Sequence, residues 1–268
     1  MPDMVFSLCK LARVNLDKKT MQQRITLDAA NKESIAQFNT VYNFATESEF
    51  IKESEGKVTT ELTDTDLMDF KHFSYAVFSR VFFKNNKFSQ LAKWYLSQNI
   101  ETNLTKKTSV LGISSESDFH RIMPNDMKLR VDERYFNGFR FWMTALGLTA
   151  FYSPGSSQQG VPILYATQKA LRLWLEYAKP FPVGTRIEAD TFFKKLRDKC
   201  PVFEECIDME KTSISPSLSS GLRVLDQAGV IQLGKVDDAA NLWRLTRSLS
   251  FGSSNTISYV LIKEQTNG

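Results

Sequence analysis

Residues 214–233 read ISPSLSSGLRVLDQAGVIQL, and this stretch decides the fold. Ser215 or Ser217 can cap a helix, with Pro216 tolerated in its first turn. Leu218, Leu222 and Leu225 lie three or four apart, so they share one helical face. Gly229 follows the last periodic residue and suits the left-handed conformation that ends a helix. Val230, Ile231 and Leu233 then predict a short strand. LWRLT at 242–246 and TISYVLI at 256–262 predict two more. Helix, glycine stop, strand, loop, strand and last strand is the grammar of a winged helix, a helix-turn-helix variant with a β-hairpin behind its recognition helix.

The same grammar recurs upstream. Residues 38–47, 141–148 and 222–230 each read as an apolar helix that stops at a small residue, followed by a strand and a turn. Recurrence of one supersecondary unit is a fold-level signal. In the first copy, Ile35, Phe38, Val41, Tyr42 and Ala45 give a helix over 32–45. Before it, residues 1–24 read as one amphipathic segment with Val5, Leu8, Leu11 and Ala12 on a face, and Lys18-Lys19 as a polar break. After it, strands at 49–52 and 57–62 flank the turn Glu53-Ser54-Glu55-Gly56, a hairpin signal. In the second copy, Phe139, Trp142, Met143 and Leu146 share a face, Gly147 stops the helix, and strands at 149–152 and 161–166 flank a loop over 153–160. Between these copies, Asp64 to Asp66 start one helix that runs to Val81, and Phe88 to Ser97 forms another. A helix over 167–178 leads to Pro180 and Pro182, which serve as a linker. Phe192, Phe193, Leu196 and Cys200 open the last copy.

The expected fold is therefore mainly α (α+β), with tandem winged-helix modules joined by a helical spacer. The boundaries fall at 1–64 for the first module, 65–104 for the spacer, 105–180 for the second module and 181–268 for the C-terminal module.

Composition narrows the function classes. No apolar run approaches the roughly 20 residues that span a bilayer, and the N-terminus lacks the pattern of a secretion signal. The three cysteines, Cys9, Cys200 and Cys206, are odd in number and scattered, which fits a reducing cytoplasm and buried thiols. The 20 Phe mostly fall in helical patterns, so core filling explains them. The net charge of +4 permits nucleic-acid contact without requiring it. Residues 101–185 carry 10 Lys/Arg against 7 Asp/Glu, whereas residues 186–268 carry 11 of each. The middle module is thus the more basic.

No catalytic constellation emerges. His72 and His120 are far apart and lack partners at ligand spacing, so no zinc site is expected. No Walker A motif, dinucleotide fingerprint or nucleophile elbow is present. Asp64-Thr65-Asp66 and Asp237-Asp238 read as a cap and a solvated loop sooner than as metal carboxylates. The chain is expected not to be an enzyme, and to need no metal and no cofactor. Nucleic-acid contacts are expected from Arg130, Arg134, Asn137 and Arg140 in the second module. In the third they are expected from Ser217, Ser219, Ser220 and Arg223 on the helix, with Lys235, Arg244 and Arg247 at the wing. Arg and small hydroxyl residues on such elements suit phosphate positioning.

The hairpin over 49–62 and the helical pair over 66–97, with its FSQLAKWYL at 88–96, carry a resemblance. It covers about a third of the chain. The chain resembles the tandem winged-helix component of bacterial phage-defence gene clusters that handle 7-deazaguanine-modified DNA. The resemblance implies a cytoplasmic, non-enzymatic DNA-binding or scaffold subunit that docks on DNA or on other subunits of a complex, away from membranes. It carries over no catalytic residue. Two other readings stand beside it: a stand-alone transcriptional or replication regulator, and a cryptic metal-dependent nuclease.

Overall fold

A computed structural model describes residues 2–26, 31–84, 86–98, 133–151, 163–246 and 255–263. The chain divides into two units, Met1–Val81 and Phe82–Gly268. The described residues are mostly helical, with small sheets that among these residues are antiparallel apart from one pairing.

In the N-terminal unit, Val5, Leu8, Cys9 and Ala12 are buried along α1 (Pro2–Ala12). The expected single segment over 1–24 is two helices. Asn15 takes a left-handed conformation, φ 52°, and Asp17 then caps α2 (Lys18–Ile25) by accepting from the Thr20 amide at 2.9 Å. Lys18 and Lys19 thus open a helix instead of interrupting one. α3 (Lys32–Glu47) is capped by Asn31 and buries Phe38, Val41, Tyr42 and Ala45, as its apolar spacing predicts. β1 (Ile51–Ser54) and β2 (Lys57–Thr60) form the expected hairpin. Its turn residues Glu55 and Gly56 both have positive φ, 53° and 73°, the requirement of a type I′ turn.

α4 (Phe70–Val81) starts later than the aspartates at 64 and 66 imply. Thr63 and Asp66 instead close a turn, each side chain accepting from the other's amide, and Asp69 accepts from the His72 amide at the true helix start. Phe73 of α4 packs against Phe6 and Phe50, with ring centroids 5.2 and 6.2 Å apart. This aromatic cluster holds α4 in the N-terminal unit.

In the C-terminal unit, α5 (Lys87–Ser97) buries Leu91, Ala92, Tyr95 and Leu96 and packs on a 3-10 turn, Pro201–Cys206. The two helices expected to form one spacer therefore belong to different units, each drawn to its own apolar partners. α6 (Glu133–Ala145) is followed by Gly147 at φ 70° and by the hairpin of β3 (Thr149–Phe151) and β4 (Ile163–Tyr165). α7 (Gln168–Leu173) continues as a π-helical turn, Trp174–Ala178, and ends at Lys179 with φ 43°.

β5 (Arg186–Glu188) and α8 (Ala189–Lys199) precede that 3-10 turn; β6 (Ile207–Asp208), β7 (Ser213–Ile214) and α9 (Pro216–Gln227) follow it. Ser215 caps α9, accepting from the Leu218 amide at 3.4 Å, with Pro216 in the first turn. Gly229 has φ 72°, as its position after the helix predicts. β8 (Ile231–Gly234), β9 (Trp243–Arg244), β10 (Thr256–Ile257) and β11 (Tyr259–Ile262) complete the unit.

The strand pairing differs from the sequence expectation. β8 does not pair with β9. It pairs with β11, which also pairs with β5, giving a three-stranded sheet ordered β5-β11-β8. β9 and β10 pair with each other and extend a second sheet ordered β10-β9-β7-β6, in which β7 and β9 run parallel. The single last strand expected over 256–262 is thus two strands in two sheets. They part at Ser258, whose hydroxyl accepts from the Val236 amide at 2.9 Å and whose carbonyl accepts from the Ala189 amide at 2.9 Å.

All three cysteines are free and buried. Burial pushes the Cys9 and Cys206 thiols up to about 12 and raises that of Cys200 as well. The thiolate is the reactive form, so an aromatic disulfide reagent at mildly alkaline pH is expected to label none of the three in the native protein and all of them in denaturant. Rapid native labelling of any one would contradict this packing.

Candidate nucleic-acid interface

The C-terminal set of expected contacts centres on α9, and α9 is covered. It packs against α5, α7 and β8. Ser217 is fully buried; its hydroxyl donates to the Leu96 carbonyl at 2.5 Å, and its own carbonyl accepts from the Thr167 hydroxyl at 2.7 Å. The Ser219 hydroxyl accepts from the Thr246 amide at 2.9 Å. Arg223 is 2% exposed, and its guanidinium donates to the Thr246 carbonyl at 3.1 Å and to Asn255 Oδ1 at 3.2 Å. Burial pulls the pKa of Arg223 below its ordinary value.

Ser217, Ser219 and Arg223 therefore hold the C-terminal unit together and do not face solvent, which corrects their expected role. The pattern of Leu218, Leu222 and Leu225 fixed one buried face of α9. The other faces are buried by elements distant in sequence. Ser220, Lys235 and Arg244 are exposed, on α9, just after β8 and on β9 respectively. Arg247 lies outside the described residues.

In the middle set, Arg130 lies outside the described residues, and Arg134 and Asn137 sit on α6. Arg140 is half-buried with its guanidinium 4.9 Å from the Phe136 ring centroid, and burial lowers its pKa. It stacks within its own helix.

A cavity of about 480 Å³ beside β5 and β11 is lined by Arg186, Glu188, Asp190, Asn241 and Tyr259 among others. Its groups are largely engaged. Asp190 accepts from Asn241 Nδ2 at 2.7 Å and from the Trp243 indole N–H, and Arg186 stacks 4.0 Å from the Tyr259 ring centroid. Among the described residues, no group of three or more His, Cys, Asp or Glu is placed to hold a metal ion.

The N-terminal unit offers what α9 does not. α3 buries only the side of Phe38, Val41, Tyr42 and Ala45. Away from that side Lys32, Asn39 and Asn43 are exposed. α2 beside it contains Lys18, Lys19 and Arg24 and no acid. None of the contacts expected from the sequence falls here, although the sequence carries a signal for it. Apolar residues confined to one stripe of α3 leave amides and a lysine on the other.

The chain also matches a family model described as DpdG-like over residues 18–239. That span takes in most of the chain and reaches into both units. The chain belongs to the DpdG-like family. DpdG-like proteins are components of the Dpd DNA-modification and phage-defence system. The DpdG-like match begins at the first residue of α2, includes α3, the β1–β2 hairpin and α9, and ends before β9. Arg244 and Arg247 lie beyond it. No curated protein and no solved structure matches the chain. None of the described helices is long and apolar enough to cross a membrane.

Proposed function

We propose that this DpdG-like chain is a non-enzymatic subunit of the Dpd system that docks on DNA and on partner subunits through winged-helix modules. The observation that carries the reading is the order of elements around β5, α8, α9, β8 and β11. The first of these strands lies beside the last in a β5-β11-β8 sheet, with α8 and α9 between β5 and β8 in sequence, an order that supports a winged-helix reading. Three helices followed by a β-hairpin in the N-terminal unit support a second module of the same kind.

Two of the carboxylates that a cryptic nuclease would call on, Asp64 and Asp66, are used structurally. Asp64 pairs with Arg13, while Asp66 closes its turn and lies 3.6 Å from Arg80. Buried, reduced cysteines suit action in the cytoplasm.

The test is a gel-shift titration of the full chain on duplex DNA with and without the 7-deazaguanine modification, joined to affinity capture of the other Dpd components. A shift and a stable Dpd partner are expected, with no strand cleavage when magnesium or manganese is added. Absence of a shift would overturn the DNA-docking part of the reading, absence of a captured Dpd component its partner-docking part, and metal-dependent cleavage that tracks with the purified chain its non-enzymatic part.

A further inference from the structure

We propose that α2 and the open side of α3 form the surface that meets duplex DNA, with the β1–β2 hairpin directed away from the phosphates. This deepens the DNA-docking reading above and rests on it. An α-helix reads a major groove only if one side of it is free along several turns. α3 meets that condition over its whole length: Lys32, Ala36, Asn39, Asn43 and Glu47 recur three and four apart and all are exposed. α9 fails it, because Ser217, Leu218, Ser219, Gly221, Leu222, Arg223 and Leu225 are all buried.

The side chains on the open side suit base edges. Asn presents a paired donor and acceptor that match the edge of adenine, and Asn39 and Asn43 on that row supply two such amides. The charges nearby suit phosphate. Lys19, Arg24 and Lys32 are exposed and enter no ion pair among the described residues. The neighbouring cations are engaged: Arg13 pairs with Asp64, and Lys18 lies 4.2 Å from the Tyr42 ring centroid. The acids on these helices are Asp17, whose carboxylate caps α2, and Glu33 and Glu47 on α3.

The hairpin has the opposite character. Lys52 pairs with Glu61 at 3.1 Å, Glu53 accepts from the Tyr42 hydroxyl at 2.7 Å, and Glu55 stands exposed in the turn beside Lys57. Residues 51–61 thus hold three carboxylates against two lysines. Phosphates are attracted to α2 and the start of α3 and repelled at Glu53 and Glu55. The charge distribution thereby sets the direction of approach, helices first.

The test measures duplex affinity of the full chain against salt concentration. The log–log slope falls by about 0.9 for each lost phosphate contact. The triple variant K19A/R24A/K32A is expected to flatten the slope by about 2.7 and to weaken binding about a hundredfold at physiological salt. The double variant K235A/R244A, on the C-terminal unit, is expected to keep the slope. All five side chains are exposed, and unchanged circular dichroism confirms that each variant folds. Wild-type slope in the triple variant, or loss of slope in the double variant alone, would overturn the choice of surface while leaving DNA docking intact. Absence of binding by the wild-type chain would overturn the docking reading itself, and this surface with it.

Discussion

Trp243→Ala is expected to destabilise the C-terminal unit by about 3–5 kcal/mol, the usual cost of emptying a buried aromatic site. Trp243 is fully buried. Its ring centroid lies 4.4 Å from that of Phe193, and its indole N–H donates to Asp190. The residue thereby ties β9 to α8. Removing it leaves a cavity against Phe193 and takes one donor from Asp190, which retains Asn241. Urea unfolding followed by circular dichroism measures the loss. Trp243→Phe keeps a buried aromatic ring but loses the N–H and part of the indole, so its expected cost is smaller, about 1–3 kcal/mol. Equal costs for the two variants would show that the hydrogen bond, not the ring, carries the site. A cost near zero for the alanine variant would refute the packing outright. Against a typical domain stability of about 5–15 kcal/mol, the larger figure is enough to leave a substantial unfolded fraction.

Gly221→Ala is the second large effect, and its sign runs against helix propensity. In an exposed helix interior, Gly→Ala stabilises by about 1 kcal/mol. At Gly221 a methyl group would lie 2.2 Å from the Thr167 hydroxyl and 3.0 Å from the Gln168 amide nitrogen. The hydroxyl cannot swing aside freely, because it donates to the Ser217 carbonyl. α9 and α7 would have to separate, at an expected cost of about 1–3 kcal/mol. Gly138→Ala provides the internal contrast. Gly138 lies within α6 and has open space where its Cβ would stand, so a gain of about 0.5–1 kcal/mol is expected there. Thermal midpoints of the two variants should move in opposite directions; movement in the same direction would refute the close approach at Gly221.

Local chemistry was readable from residues alone. The stripes of α3 and α5, the glycine stops at 147 and 229, the cap at Ser215 and the turn at Gly56 all depend on neighbours within a few positions. What could not be read depends on partners far along the chain. β8 meets β11 and not β9 because pairing is decided by the completed sheet. The segment over 1–24 breaks at Asn15, a single left-handed residue inside an otherwise helical pattern. The start of α4 is hidden in the sequence because a Thr63–Asp66 turn has the same residue types as a helix cap.

The candidate contacts show the same division. Ser217, Ser219 and Arg223 have the chemistry of phosphate ligands, but α5 and the Thr246 and Asn255 backbone and side-chain groups take them first. Polar residues on a helix reveal what they can bond to, not whether water or protein supplies the partner. The open side of α3 was legible in the same stripe that revealed its core. Its function is harder to read than its core because its amides carry no charge.

Ser258 joins two sheets through one residue. β10 belongs to one sheet and β11 to the other, and both backbone groups of Ser258 are bonded, to Gly234 and to Ala189. No slack chain separates them, so neither sheet can slide or detach without dragging its neighbour. Force applied to β10 is therefore expected to reach β11 directly, so that the two small sheets give way together.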